Sequence, residues 1–335
     1  MIELQQVCKV FHAPDGREVH AVKSVSLTIE EGETICLIGT SGSGKTTTMK
    51  MINRLITPTS GKILVGGKDV LQQDPIRLRR SLGYVIQKGG LFPHMTVRAN
   101  VSMLCRLENW EAGRTNKRVD ELLSLVNLPP DQYADRYPGE LSGGQRQRVG
   151  VARALALDPD YILMDEPFGA LDPITRDQIH DEFTTLKERV KKTIVIVTHD
   201  MAEAFKLGDR IALMHEGELI QCGSEDHFRS QPANEFVVDF LKSHLSRPAT
   251  AQEIVDPEVP VVAKRNGARM QLVKAEDTLV LHCDDQSWEL KPIAPNCGVP
   301  QAFEEMLDGG APAVAVADGE RVLGVITKES LMNAL

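Results

Sequence analysis

The chain has 335 residues, of which 42% are hydrophobic and 25% charged, with a formal net charge of −9. This is the composition of an ordinary globular protein, and the length predicts more than one average domain and fewer than three. The negative charge and the 4% aromatic content argue against a nucleic-acid partner. No apolar run reaches the ~18–20 residues that span a bilayer, and the N-terminus lacks signal-peptide features. A cytosolic protein is therefore expected.

The cysteines are scattered along the chain, with neither a C-x-x-C pair nor a histidine at ligand spacing. This arrangement argues against a zinc site and against a disulfide framework. Cys36 lies within an apolar, strand-like run and is expected to be a small core residue. The six cysteines are Cys8, Cys36, Cys105, Cys222, Cys283 and Cys297.

The first chemical motif follows a short apolar run, Thr34–Ile38, that predicts a strand. Its residues fit G-x-x-x-x-G-K-[ST], and Met49, Ile52 and Leu55 predict a helix directly after it. In such a loop the glycines let backbone N–H groups face a phosphate, the lysine supplies a positive charge, and the threonine hydroxyl can bind Mg²⁺. The predicted phosphate-binding residues are Gly39, Thr40, Ser41, Gly42, Ser43, Gly44, Lys45, Thr46 and Thr47.

A second glycine-rich helix start follows later in the chain, after an amphipathic helix predicted around Val119–Val126. The residues Leu141–Gln145 include a serine and two glycines, and they precede a stretch with good helix propensity. Such a helix start also suits a phosphate. Because one nucleotide already has the first loop, a head-to-tail dimer is the economical arrangement, with each chain covering the other's nucleotide.

Two further apolar runs, Tyr161–Asp165 and Thr193–Thr198, predict strands that end in polar residues. Asp165 is suited to hold a metal ion's water shell, and Glu166 to orient or deprotonate an attacking water. A hairpin is expected between Ile211 and Gln221. Alternation of strands and helices predicts an α/β fold around a largely parallel sheet.

In this order, the motifs resemble those of the ATP-binding cassette (ABC) ATPases over residues 1 to about 240. The resemblance implies a P-loop fold with a RecA-like core, a helical subdomain and an antiparallel β subdomain, and the hydrolysis of ATP with Mg²⁺. Glu166 is then expected to be the catalytic base, His199 to contact the γ-phosphate, and Phe11 to stack on adenine. The residues expected to bind Mg²⁺ are Thr46, Gln87 and Asp165. The residues expected to reach the ATP of a second chain are Ser142, Gly144, Gln145 and Asp172.

The chain has one set of motifs and no long heptad insertion or fused membrane segment, which favours a separate subunit that serves a membrane permease. The stretch Gly83–Val101 resembles importers of quaternary amines such as glycine betaine, choline and carnitine. Polar amino acid importers share part of it and remain an alternative, as does a soluble, non-transport ABC ATPase. The expected partners are permease subunits and, indirectly, a substrate-binding protein. The expected location is peripheral, on the cytoplasmic face of the inner or plasma membrane.

The C-terminal segment differs from the rest in charge, with seven basic and fourteen acidic residues from Ala249 onwards. We therefore predict an ABC domain over residues 1–248 and a small α+β domain over 249–335. Residues 298–335 resemble one repeat of a cystathionine-β-synthase-type (CBS) module, and Val259–Leu290 are interpreted as a degenerate first repeat. Ser330 stands where the adenosine-binding pattern has aspartate, which argues against nucleotide binding there. A regulatory or dimerising role is expected.

Overall fold

The computed structural model describes residues 1–14, 16–86, 90–169, 173–244, 263–265, 268–275, 278–283, 286–318, 321–327 and 330. Gln87, Asp172 and the predicted boundary at residue 248 lie outside these residues. The chain divides into two units, Met1–His244 and Leu245–Leu335. In the described part of the chain, every helix is too short or too polar to cross a membrane.

The first unit contains two sheets. The strands of the antiparallel sheet, in the order β2-β1-β4-β5, are β1 (Ile2–His12), β2 (Glu18–Ile29), β4 (Ser60–Val65) and β5 (Lys68–Asp69). The other sheet has the order β10-β9-β3-β8-β7-β6. Its strands are β3 (Thr34–Gly39), β6 (Leu82–Val85), β7 (Tyr161–Asp165), β8 (Thr193–Val197), β9 (Arg210–His215) and β10 (Glu218–Gly223).

The larger sheet is parallel from β6 to β9, and β10 adds an antiparallel edge. Every residue of β3 and of β8 is buried. Strands buried on both faces read as continuous apolar runs, because neither face meets water. The predicted strands, the late hairpin and the parallel α/β core are therefore confirmed.

Ten helices are described in the first unit. They are α1 (Lys45–Ile52), α2 (Pro75–Ser81), α3 (Val97–Leu107), α4 (Ala112–Leu125), α5 (Pro130–Tyr133), α6 (Gly143–Ala154), α7 (Pro173–Val190), α8 (Met201–Leu207), α9 (Glu225–Ser230) and α10 (Glu235–His244). The amphipathic helix predicted around Val119 is α4, and its residues Leu122 and Leu123 are buried.

The prediction that α1 carries Leu55 is wrong. The helix ends at Ile52, and Asn53 accepts a hydrogen bond from the Leu55 N–H at 3.1 Å. Arg54 adopts a left-handed φ of 53°, which turns the chain out of the helix. Leu55 is consequently 49% exposed.

The main hydrophobic core packs β3 and α1, the two elements that flank the phosphate loop, against the antiparallel sheet. Ile2 on β1, Leu37 on β3 and Met49 on α1 belong to one buried cluster. Burying a side chain of this size contributes about 1.5–3 kcal/mol. Cys36, as predicted, is fully buried.

The described part of the second unit contains a four-stranded antiparallel sheet in chain order, then a helix and an antiparallel strand pair. Its elements are β11 (Ala263–Arg265), β12 (Ala268–Ala275), β13 (Thr278–Cys283), β14 (Gln286–Leu290), α11 (Val299–Asp308), β15 (Ala313–Asp318) and β16 (Arg321–Thr327). The segment that resembles a CBS repeat contains the helix α11 and the antiparallel strand pair β15 and β16. The described residues between Ala263 and Leu290 all lie in strands, and a degenerate CBS repeat there stays a prediction.

Candidate functional site

The loop between β3 and α1 depends on two glycines. Gly44, the residue before α1, has a φ of 98°, and a Cβ there would overlap the carbonyl oxygen of Ala21 on β2. Gly39 has a φ of 140°, and a Cβ there would overlap the Met214 carbonyl on β9. Only glycine combines such φ values with so close an approach of neighbouring backbone. Helix α1 therefore begins without a side-chain cap, and its first N–H groups stay available for an anion.

Lys45 lies beneath this loop and is only 7% exposed. Its Nζ donates to the carbonyl oxygens of Gly39 and Thr40 at 2.8 and 2.9 Å, and more weakly to Ser43 Oγ at 3.4 Å. Burial lowers the pKa of Lys45, whereas the carboxylates of Glu166 and Asp165 oppose that shift. The ammonium group is thus held at one place in the loop, where it can contact phosphate oxygens.

Thr46 and Asp165 meet where α1 faces the end of β7. Thr46 Oγ1 donates to Asp165 Oδ1 at 3.0 Å, and Asp165 is 7% exposed. Burial raises the pKa of Asp165, and the hydrogen bond from Thr46 and the charge of Lys50 counteract it. A hydroxyl and a carboxylate this close supply the hard oxygen ligands that Mg²⁺ prefers. These two residues therefore fit the predicted metal, whereas Gln87 lies outside the described residues.

Glu166 and His199 follow the neighbouring strands β7 and β8. The carboxyl ends of parallel strands lie at one edge of a sheet, which brings Glu166 Oε2 to 3.6 Å from His199 Nδ1. The Glu166 N–H donates to the Val197 carbonyl at 2.9 Å, and its φ of 44° is uncommon for a residue with a side chain. The carboxylate and the imidazole are thus side by side, as the predicted roles in hydrolysis require.

Except for Asp165, these groups line one cavity of about 370 Å³, a volume within the range of ligand sites. Its lining residues are Ala21, Ser41, Gly42, Ser43, Gly44, Lys45, Thr46, Thr47, Glu166 and His199. Ala21 was not predicted, because its backbone contact with Gly44 has no signature in the sequence. Phe11, 39% exposed on β1, pairs with Val19 on the strand that carries Ala21.

The second predicted phosphate element lies apart from this cavity. Ser142 Oγ accepts from the Gln145 N–H at 3.2 Å, and Gln145 Oε1 accepts from the Ser142 N–H at 2.9 Å. This reciprocal pair is a capping box at the start of α6. The Gln145 amide also donates to the Tyr133 hydroxyl at 3.3 Å. Ser142, Gly144 and Gln145 are absent from the cavity lining of their own chain.

A phosphate loop between a central parallel strand and a helix, with Asp165, Glu166 and His199 at the same sheet edge, defines a P-loop nucleoside triphosphatase fold. The ABC transporter family profile matches residues 22–169. The chain is 42% identical to the osmoprotectant import ATP-binding protein OsmV of Salmonella typhimurium over 335 residues, which are 100% of this chain and 81% of OsmV. The chain therefore belongs to the ABC transporter family.

Two other relatives agree with this assignment. The glycine betaine/carnitine/choline transport ATP-binding protein OpuCA of Bacillus subtilis is 56% identical over 241 residues, or 72% of this chain. The chain spans 62% of the length of OpuCA. Among solved structures, the dimeric ATP-binding cassette MJ0796 bound to ADP and phosphate has a TM-score of 0.60 and 35% identity, covering 67% of this chain and 98% of that one.

Proposed function

We propose that this chain binds and hydrolyses ATP with Mg²⁺, and thereby energises the uptake of quaternary-amine osmoprotectants through a separate membrane permease. The observation that carries the ATPase is the assembly of Lys45, Thr46, Glu166 and His199 around one cavity, with Asp165 hydrogen-bonded to Thr46. The cargo class rests on the named transport roles of OsmV and OpuCA. Glycine betaine, choline and carnitine are the cargoes to test.

Each residue of the site has a distinct task in this proposal. Lys45 and the first N–H groups of α1 hold the β- and γ-phosphates, and Phe11 stacks on adenine. Thr46 and Asp165, together with Gln87, would hold Mg²⁺, which when bound offsets charge on the phosphate oxygens. The Glu166 carboxylate accepts a proton from the attacking water. His199, next to Glu166, donates to the γ-phosphate.

Two chains close head to tail in this proposal, each covering the nucleotide of the other. The partner chain would contribute the start of its α6, with Ser142, Gly144 and Gln145, and also Asp172. Support comes from the position of the α6 start outside its own cavity, and from the dimeric state named for the similar cassette. ATP-driven closure would switch the permease, and hydrolysis would reopen the dimer. The protein would act peripherally at the cytoplasmic face of the inner or plasma membrane, with a substrate-binding protein as indirect partner.

Phosphate release by the purified chain tests the ATPase. We expect Glu166→Gln to bind ATP, to lose about 10²–10⁴-fold in kcat, and to accumulate as a closed dimer. Glu121→Gln, an exposed glutamate on α4, is the control and should hydrolyse at the wild-type rate. A Glu166→Gln protein as fast as wild type would exclude Glu166 as the base.

Uptake of labelled glycine betaine and choline at low and high osmolarity tests the cargo. A host lacking its own copy would receive wild type, Glu166→Gln, or a chain that ends at residue 248. We expect uptake with wild type and with the shortened chain, and a lost osmotic response in the shortened chain if residues 249–335 are regulatory. An active ATPase that restores uptake of neither compound would contradict glycine betaine and choline as cargoes, and a further lack of carnitine uptake would contradict the quaternary-amine assignment.

A further inference from the structure

Four pairs of a basic and an acidic side chain connect α7 with α8 and the residues around it. Three of them are partly exposed: Arg176–Asp200, Asp181–Lys206 and Lys187–Asp209, with N–O distances of 3.7, 2.7 and 2.9 Å. The fourth, His180–Glu203, is buried, with each side chain only 4% exposed. Helix α8 begins two residues after His199, so its position determines where that histidine lies.

The buried pair is poorly suited to a purely stabilising role. His180 Nε2 and Glu203 Oε2 lie 3.5 Å apart, and no described residue forms a hydrogen bond with His180 Nε2 or Glu203 Oε1. Removing such groups from water costs free energy that a long contact offsets only in part. Two well-packed apolar side chains would stabilise the same interior at least as well. The presence of the pair therefore calls for another explanation.

His180 contacts both segments that carry the catalytic groups. Its ring packs edge-on against Phe168, with centroids 4.9 Å apart and planes at 79°, and Phe168 lies two residues after Glu166. On its other side, His180 faces Glu203 in the first turn of α8. The Glu203 N–H donates to Asp200 Oδ1 at 3.0 Å, which fixes that turn to the residue after His199. His180 thus packs between the segment that follows Glu166 and the first turn of α8, which follows His199. These two segments carry the side chains of the Glu166–His199 contact.

Glu203 also lies close to the strand that leads into the phosphate loop. Burial, and secondarily the negative charge of Glu203, raise the pKa of the Cys36 thiol on β3. Helix α8 packs against that strand, and Cys36 is fully buried. A displacement of Glu203 would therefore move the turn that follows His199, and it would also disturb the packing of α8 against β3.

We infer that His180 and Glu203 are positioning residues for hydrolysis, which hold Phe168 and α8 so that Glu166 and His199 stay in contact. The inference rests on the proposed ATPase and deepens it. It requires the pair to affect the chemical step, because Lys45 and the α1 start bind the phosphates without touching either residue.

The decisive variant replaces the pair by two apolar side chains, His180→Phe with Glu203→Leu, in the full-length chain. We expect a melting temperature close to wild type, because neither polar group is left alone in the interior. ATP affinity should be unchanged, whereas kcat should fall about tenfold through misplacement of the catalytic groups. Lys206→Gln is the matched control, since it breaks an exposed pair between the same two helices and should keep the wild-type kcat.

Two further variants keep the inference testable if the double variant does not fold. Glu203→Gln retains an oxygen that can accept from His180 and should keep kcat within about twofold of wild type. Phe168→Leu removes the ring contact with His180 and should lower kcat without changing ATP affinity.

A folded double variant with the wild-type kcat would overturn the inference while leaving the ATPase intact. So would an unchanged kcat in Phe168→Leu, or a loss of ATP affinity that matches the loss of kcat. A wild-type chain that releases no phosphate from ATP would overturn the proposed function, and this inference with it.

Discussion

The two glycine-rich helix starts of the first unit, at α1 and at α6, have similar sequences and different structures. At α1 the preceding residue, Gly44, has a left-handed backbone and provides no side-chain cap. At α6 the preceding residue, Ser142, has an extended backbone, and its side chain and that of Gln145 cap each other's N–H groups. Residues at the start of α1 line the cavity of their own chain, whereas those at the start of α6 do not.

This difference indicates that a glycine-rich helix start is not by itself a phosphate site. The α1 start has Lys45 beneath it and the carboxylates of Asp165 and Glu166 nearby, which are the groups that the proposed phosphate and metal site needs within one chain. At the α6 start, the side chains of Ser142 and Gln145 cap the helix within the same chain. Such a pre-formed helix end suits a contact with a second chain.

Loss of the Lys45 ammonium should have the largest effect. For Lys45→Ala we expect ATP affinity to fall about 10- to 100-fold, because a hydrogen bond to a charged group is worth about 1.5–3 kcal/mol. Equilibrium binding of a fluorescent ATP analogue to the dilute chain measures this. Lys62→Ala, an exposed lysine on β4, should bind like wild type. Equal affinities for wild type and Lys45→Ala would mean that the α1 start is not the phosphate site.

Replacement of one glycine by alanine should lower the unfolding free energy at the α1 start more than at the α6 start. Gly44→Ala forces a side chain into a left-handed position against the Ala21 carbonyl and should cost about 1–3 kcal/mol of unfolding free energy. Gly143→Ala substitutes the first helical residue of α6 and should stay within about 0.5 kcal/mol of wild type. Urea unfolding of the full chain measures both. Equal losses of unfolding free energy in the two variants would show that the left-handed backbone of Gly44 does not affect stability.

A charge at the α6 start should affect hydrolysis without affecting the fold. Ser142→Asp keeps an oxygen that caps the helix but places a negative charge where the second chain's phosphate would lie. We expect about tenfold slower hydrolysis, corresponding to ~1.4 kcal/mol, with the wild-type melting temperature and ATP affinity of the dilute chain. Ser224→Asp, at the serine that caps α9, is the matched control. Normal hydrolysis by Ser142→Asp would contradict a phosphate contact at α6.

Removing the buried carboxylate should have the smallest effect, and its sign depends on pH. Burial raises the pKa of Asp165 above its ordinary 3.8, so the folded state disfavours the charged form. The resulting destabilisation is complete above the folded-state pKa and disappears as the pH falls through it towards 3.8. Asp165→Asn should therefore be more stable than wild type at pH 7, by about 1 kcal/mol or less, with a difference that shrinks in acid. A difference that grows in acid would contradict this.

Much of the α1 site could be predicted because its residues are contiguous or end strands. The residues from Gly39 to Thr47 form one continuous motif that can be recognised in the sequence. Glu166 and His199 follow apolar runs that predict parallel strands, and the ends of such strands meet at one sheet edge. The contributions of Ala21, of Met214 and of Gly217, whose N–H donates to the Ser43 carbonyl at 3.2 Å, could not be predicted. They act through backbone atoms, which are the same in every residue type, and only the fold brings them to the loop.

The left-handed backbone of Glu166 was likewise invisible in the sequence, since such φ values are usual for glycine rather than glutamate. The exposed Leu55 was misassigned because the apolar spacing continues beyond Asn53, whose side chain ends the helix. On β13 of the second unit, the buried Leu279 and Leu281 alternate with less buried residues, and this alternation is a weaker pattern than the continuous runs of β3 and β8.

The strand order of the large sheet also bears on how the chain is synthesised. Strand β3 is made early, yet its neighbours are β8 and β9, with Thr34 opposite Ile194 and Ile35 opposite Arg210. A nascent chain therefore carries a strand that is fully buried in the folded protein, without its pairing partners, until most of the first unit has left the ribosome. During that interval the strand has exposed edges that favour aggregation, and chaperone binding would protect it. Nucleotide binding should accordingly appear late in synthesis, only after β9 has emerged.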